Sequence, residues 1–153
     1  MYTLVFSDRD GTINLDKNFY LGSSSNWREQ VSFLDGVVDG IKLINQIPNS
    51  RFFILTNQSG VALEGGNFDN LTFERMHEVN RYILDKLRDE EALVDHYYAC
   101  PFVDSNYVKK ALEKGRRVDQ KYIRENCLDL KPNIGMIEKA LTDLNVKKED
   151  CKI

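Results

Sequence analysis

The stretch VFSDRDGTIN, residues 5–14, ends a short apolar run in two aspartates, Asp8 and Asp10, with Gly11 directly after. The run TLVFS, residues 3–7, is too brief for a helix and reads as a strand closed by an Asp-Gly turn. Two carboxyl groups this close repel unless a cation or a shared proton offsets them. Oxygen donors of this kind suit magnesium, which in turn holds a phosphate. A carboxylate can also attack phosphorus, giving an aspartyl-phosphate that splits one hard hydrolysis into two easier steps. A second acid would then protonate the leaving alkoxide and later deprotonate the water. An EF-hand calcium loop is the ready alternative, and it needs glycine sixth and glutamate twelfth. Counted from Asp8 those places hold Ile13 and Phe19, so that reading fails.

Outward from this stretch the chain alternates strands and helices. GSSS at 22–25 marks a loop, and Gly36 to Ile47 carries Val37, Ile41 and Ile44 at helical spacing. Phe52 to Leu55 reads as a second buried strand, entered from the turn-like PNS at 48–50 and followed by the glycine-rich SGVALEGGN. Thr72 can cap a helix reaching Arg88, with Phe73, Met76, Val79, Ile83 and Leu87 along one side. LVDHYYAC gives a third strand candidate, residues 103–126 are polar and basic with no clear strand, and a last helix starts near Pro132 or Asn133 with Ile137, Leu141 and Leu144. Strands separated by helices predict an α/β fold, a parallel sheet with helices on both faces. In such sheets ligands sit outside the carboxyl ends of the strands, which is where Asp8, Asp10, Thr56 and Asn57 fall.

At 153 residues and 42% hydrophobic content, one domain with a real core is expected. The formal charge of −3 gives no global reason to expect nucleic acid or an anionic membrane. No apolar stretch approaches a membrane span, and no secretory signal is visible. Cys100, Cys127 and Cys151, odd in number and widely spaced, suit a reducing compartment, so a cytoplasmic protein is expected.

Two further features point the same way. ILTNQSG, 54–60, places a hydroxyl and an amide after an apolar strand, where they can hydrogen-bond phosphoryl oxygens. Lys131, held extended by Pro132, can supply positive charge over the same phosphate. With these the chain resembles the haloacid dehalogenase-like (HAD) superfamily of phosphatases, and within it the heptose-bisphosphate and histidinol-phosphate phosphatase branch. The resemblance runs through DRDGTINLDKNFY, FLDGVVDGI, ILTNQSGVA, YYACP and LKPNIGMI, nearly the whole chain. It implies a Rossmann-like three-layer α/β/α domain with no large cap domain. It also implies that Asp8 is nucleophile and magnesium ligand, and that Asp10 is general acid/base and offers its backbone carbonyl to the metal. By the same resemblance Thr56 and Asn57 bind the phosphoryl group and Lys131 stabilises its charge. The implied activity is a magnesium-dependent phosphomonoesterase for a small phosphorylated metabolite, a sugar phosphate of the heptose-bisphosphate kind or histidinol phosphate, without a nucleic-acid or membrane partner.

The chain departs from the family at three places. The family's zinc ligands, C-x-H then C-x-C, are reduced to Cys100-Pro101-Phe102 and Cys127-Leu128-Asp129. Two thiolates are too few for a tetrahedral ion, so zinc is not expected and buried, inert cysteines are. Leu130 stands where the family commonly has arginine, and in place of a compact zinc loop the chain carries a basic insert. Residues 106–124 hold seven Lys or Arg against two acids. A run like this is either a solvated face or a cover over the site mouth in which Arg116 and Arg117 bind the distal anionic part of the substrate. Third, the family's acidic fourth motif has no counterpart before Ile153, and Glu149 and Asp150 precede the strand it would follow. The expectation is a C-terminally incomplete domain whose first strand lacks a neighbour on one side; the alternative is a truncated remnant that binds anions or a partner without turnover.

Overall fold

The computed structural model describes residues 1–17 and 20–153; Asn18 and Phe19, inside the stretch that carries the resemblance, lie outside the described residues. In chain order the elements are β1 (Tyr2–Ser7), α1 (Val37–Asn45), β2 (Ser50–Asn57), β3 (Leu63–Glu64), α2 (Phe73–Asp89), β4 (His96–Cys100), α3 (Ser105–Glu113), β5 (Arg117–Val118), α4 (Gly135–Asp143) and β6 (Cys151–Lys152). Four strands form a parallel sheet in the order β4-β2-β1-β6.

The two-residue period of a strand sorts its side chains onto two faces. Val5, Phe52, Ile54 and Tyr97 point to one face, where Ile41 of α1 and Val79, Ile83 and Leu87 of α2 complete a core around the fully buried Trp27. Leu4, Phe6, Phe53, Leu55 and Tyr98 point to the other face, against Met136, Ala140 and Leu144 from α4 and the residue after it. Helices therefore cover both faces, giving the three-layer α/β/α arrangement. The first strand-helix-strand steps run from β1 to β2 to β4, and the chain then returns past β1 to β6 by way of α4. The direction of winding reverses at β1, which in open α/β sheets marks the ligand crevice.

Helix α2 follows its sequence pattern closely. The Thr72 hydroxyl accepts the Arg75 N–H at 3.1 Å, a cap worth about 1 kcal/mol. Two expectations are corrected. Residues 103–126, expected to hold no clear strand, carry the short β5 as well as α3, in which Tyr107 and Val108 are half-buried and Ala111 buried, and Asp104 caps α3 by accepting the Tyr107 N–H at 2.8 Å. After α3 the short β5 pairs antiparallel with β3. Nor is β1 bare on its outer side, because the chain turns back after Val146 and β6 pairs parallel with it, Tyr2 with Cys151 and Thr3 with Lys152.

Candidate active site

The register of the sheet brings the sequence-predicted residues to one edge. Ser7 pairs with Ile54, so the ends of β1 and β2 lie side by side, with Asp8 just past one and Thr56 and Asn57 at the other. Past Asp8 the backbone coils tightly: the Arg9 carbonyl accepts the N–H groups of Thr12, Ile13 and Asn14 at 3.2, 2.8 and 3.2 Å. Gly11, at φ 74°, supplies the left-handed residue that this turn needs.

Asp8 and Lys131 meet directly. The Lys131 ammonium lies 2.7 Å from Asp8 Oδ1, which also accepts the Arg9 N–H at 2.8 Å, and the Asp8 side chain is half exposed. A second hydrogen bond, 3.0 Å to the Leu55 carbonyl, fixes the ammonium against β2. Asn57 holds the lysine from behind: its Oδ1 accepts the Lys131 N–H at 3.1 Å and its Nδ2 donates to the Lys131 carbonyl at 3.3 Å. The Asn57 amide is thus occupied by the lysine's own backbone.

Asp10 sits in a denser set of contacts. Arg9 is almost fully buried, and its Nη2 lies 2.9 and 3.0 Å from the two Asp10 oxygens. Gln58 Nε2 donates to Asp10 Oδ2 at 2.9 Å and to Thr56 Oγ1 at 2.7 Å, while its Oε1 accepts from Arg9 at 2.8 Å. Asn14 Nδ2 adds a bond to Asp10 Oδ1 at 3.1 Å. From α2, Asn80 accepts Arg9 Nη1 at 3.0 Å and anchors the guanidinium. Burial alone would raise the Asp10 pKa, but the Arg9 charge and the hydrogen bonds from Gln58, Asn14 and Arg9 outweigh it and hold the carboxyl below its ordinary value. Asp8, Lys131 and Asn57 thus make one linked group, and Asp10, Gln58 and Thr56 another, adjacent through the Asn57–Gln58 peptide.

Arg9, Gln58, Asn14 and Asn80 were not among the sequence candidates. An arginine set between two strand-end aspartates was the available signal for Arg9, since its charge must be balanced wherever it is buried. Gln58 directly follows Asn57 and was readable only as part of the same loop. Asn80 carries no local signal at all, because it reaches Arg9 across 71 residues of chain.

A crevice of about 480 Å³ opens beside these residues, with Asp10, Gln58, Ser59, Tyr20, Lys114 and Arg116 among its walls. The last two come from the basic insert, which therefore reaches the site. Helix α3 ends in a Schellman turn, with Gly115 N–H on the Leu112 carbonyl and Arg116 N–H on the Ala111 carbonyl, both at 2.9 Å. Gly115, at φ 68°, makes that reversal and sends Arg116 back to the crevice. There its Nη1 donates to the Tyr20 hydroxyl at 2.9 Å, and its guanidinium stands 5.5 Å from both the Tyr20 and Phe68 rings. Arg117, by contrast, is exposed on β5 and is not part of the crevice. Asp16 also lines this space, so the basic character is local to the insert side. Among the described residues no three His, Cys, Asp or Glu side chains gather in a metal-binding cluster.

None of the protein-family models matches the sequence. Among curated proteins, the D-glycero-beta-D-manno-heptose-1,7-bisphosphate 7-phosphatase of Haemophilus ducreyi is 29% identical over 142 residues, 93% of this chain and 65% of that protein. The chain thus spans slightly less than two thirds of the length of that relative. Among solved structures, a HAD-like protein from Mesorhizobium loti matches at TM-score 0.70 and 26% identity, over 95% of this chain and 58% of that one. The D,D-heptose 1,7-bisphosphate phosphatase of B. bronchiseptica, crystallised with magnesium and phosphate, shares the fold at TM-score 0.63 and 20% identity, over 95% of this chain and 65% of that one.

Proposed function

We propose that this chain, a relative of the haloacid dehalogenase-like phosphatases in sequence and fold, carries the phosphoryl-transfer site of a phosphomonoesterase for a small sugar phosphate. The observation that carries this reading is the convergence of Asp8 and Lys131 at 2.7 Å beside an Asp10 held rigidly two residues away. Phosphoryl transfer asks mainly for positioning and charge neutralisation, and a strand-end carboxylate next to a fixed ammonium supplies both.

Asp8, half exposed, attacks phosphorus while the bond to the substrate oxygen breaks. Lys131, held by Leu55 and Asn57, offsets the charge gathering on the phosphoryl oxygens, and Thr56 can donate its hydroxyl hydrogen there, since its oxygen is already oriented by Gln58. Asp10 starts ionised, as its lowered pKa requires. An arriving phosphate dianion raises a neighbouring carboxyl's pKa. Asp10 can then take a proton from solvent, pass it to the leaving alkoxide, and afterwards take one from the attacking water.

The donor set fits magnesium, which is commonly held by one or two carboxylates together with waters and substrate phosphate. The Asp8 carboxylate and the Asp10 backbone carbonyl would be its protein ligands. The Asp10 carboxylate is already engaged by Arg9, Gln58 and Asn14. When bound, magnesium would neutralise phosphoryl charge and orient the phosphate toward Asp8.

Lys114 and Arg116 extend the reading to the substrate's far end, where a second anionic group would meet the guanidinium fixed by Tyr20 and Phe68. Phosphate release from a sugar bisphosphate and from an aryl monophosphate tests this. Arg116→Ala should raise KM for the bisphosphate by about tenfold, the loss of one charged hydrogen bond, while leaving the aryl phosphate nearly unchanged. Arg117→Ala should leave both unchanged. Equal effects of Arg116→Ala on both substrates would remove the distal-anion role.

A further inference from the structure

Cys100 ends β4 and is almost fully buried; Cys127 is half-buried on the loop that leads to Lys131. Their sulfurs lie 4.0 Å apart. Both are tied to the site through the backbone. The Cys100 carbonyl accepts the Gln58 N–H at 2.7 Å, and the Cys127 carbonyl accepts Asn133 Nδ2 at 2.9 Å and the Leu130 N–H at 3.2 Å. The segment between the two cysteines contains α3, β5 and the crevice residues Lys114 and Arg116. Its two ends meet at this sulfur contact. Of the two acids two residues from Cys127, Asp129 is paired with Lys139 and Glu125 with the Ser105 N–H.

We propose that Cys100 and Cys127 are an oxidation site, which a hydroperoxide converts to a disulfide that fastens the base of the segment carrying Lys114 and Arg116. Cys127, the more accessible thiol, meets the oxidant first. Its sulfur attacks the terminal peroxide oxygen, an S–O bond forms, the O–O bond breaks, and the leaving oxygen takes the thiol proton. Cys100 sulfur then attacks the Cys127 sulfur, the S–S bond forms and the S–O bond breaks. Hydroxide departs with the Cys100 proton as water. Two thiols lose two electrons and the peroxide gains two. Burial pushes the Cys100 thiol up to about 12, so it stays protonated and resists direct attack on the oxidant. It resolves the sulfenic acid by losing its proton to the departing hydroxide, the 4.0 Å contact offsetting its low thiolate fraction. Sulfur must move from 4.0 Å to the bonded separation of about 2.05 Å, a shift that falls on the Cys127 loop rather than on β4.

The whole chain is treated with hydrogen peroxide at increasing dose, alkylated, and analysed by intact mass and peptide mapping. The expected product has lost two hydrogens, resists alkylation at Cys100 and Cys127, stays alkylated at Cys151, and reverts with dithiothreitol. Because a loop is closed, its melting temperature should rise by about 5 °C or more. Cys100→Ser should instead leave a Cys127 sulfenic acid that dimedone traps, and Cys127→Ser should abolish both products. Overturning results are Cys100 and Cys127 that both remain alkylatable, a bridge that includes Cys151, or wild-type Cys127 that passes to sulfinic acid without a disulfide. Protection from alkylation that appears only with added zinc and without oxidant would likewise overturn it, in favour of a metal site.

Discussion

Arg9 lies between the two aspartates in sequence, is almost fully buried, and contacts both oxygens of Asp10 while Asn80 holds its far side. Its charge keeps the Asp10 carboxyl below the ordinary 3.8 despite partial burial. As pH falls, the unfolded chain therefore takes up this proton before the folded one does. The contribution of Asp10 to stability is complete above its unfolded pKa and is lost as pH falls through the lower folded value. Arg9→Met removes the largest influence opposing desolvation and leaves only the Gln58 and Asn14 hydrogen bonds, so the Asp10 pKa should rise. The alkaline limb of the kcat/KM profile, set by loss of the proton that Asp10 gives to the leaving group, should move to higher pH, and Arg9→Lys, which keeps the charge, should move it less. An alkaline limb unchanged in Arg9→Met would contradict the role given to Arg9. Asp8 and Asp10 were nominated by residue type at a strand end, and Lys131 by its place before Pro132 and by the family resemblance; the structure brings Lys131 to Asp8 and leaves their roles to the test below. The partners of Asp10 were not nominated, since they depend on which distant side chains fold against a buried guanidinium. That the Asn57 amide is bonded to the Lys131 backbone was hidden for the same reason: the two residues lie 74 positions apart.

Among the elements, α2 was readable to within a residue at each end because five apolar residues keep helical spacing and Thr72 announces the start. Helix α3 was overlooked because its buried stripe is only Tyr107, Val108 and Ala111 amid lysines, and Leu112 on its outer side is exposed. Its end was nevertheless written locally, in Gly115. An alanine there would meet no neighbouring atom, so its cost is that of the left-handed backbone alone, about 1–2 kcal/mol. Gly115→Ala should lower the urea midpoint accordingly and, by disturbing the turn that delivers Arg116, should raise KM for a bisphosphate. A variant with the stability loss and an unchanged KM would separate the turn from the crevice. The pairs of residues in β3, β5 and β6 were beyond sequence reading, since two residues carry no alternation and their pairing is set by the turns around them.

At the scale of the whole molecule, the alternating pattern sufficed for a parallel sheet layered by helices, because buried strands read as short apolar runs whatever their order. The order itself, β4-β2-β1-β6, comes from tertiary packing, and the reversal at β1 brings the end of that strand to the crevice lined by Asp10. Among the described residues no helix is long and apolar enough to cross a membrane. The fold and both faces of the core serve one arrangement: a carboxylate at a strand end, an ammonium clamped over it, and a second carboxylate held two residues on. The direct test is magnesium-dependent phosphate release from an aryl phosphate by the chain and by Asp8→Asn, which preserves the shape of the side chain and removes the proposed nucleophile. The account predicts release by the unaltered chain and a fall of at least about a thousandfold in the variant, since nucleophile and base act as one unit. Release that survives Asp8→Asn would contradict it.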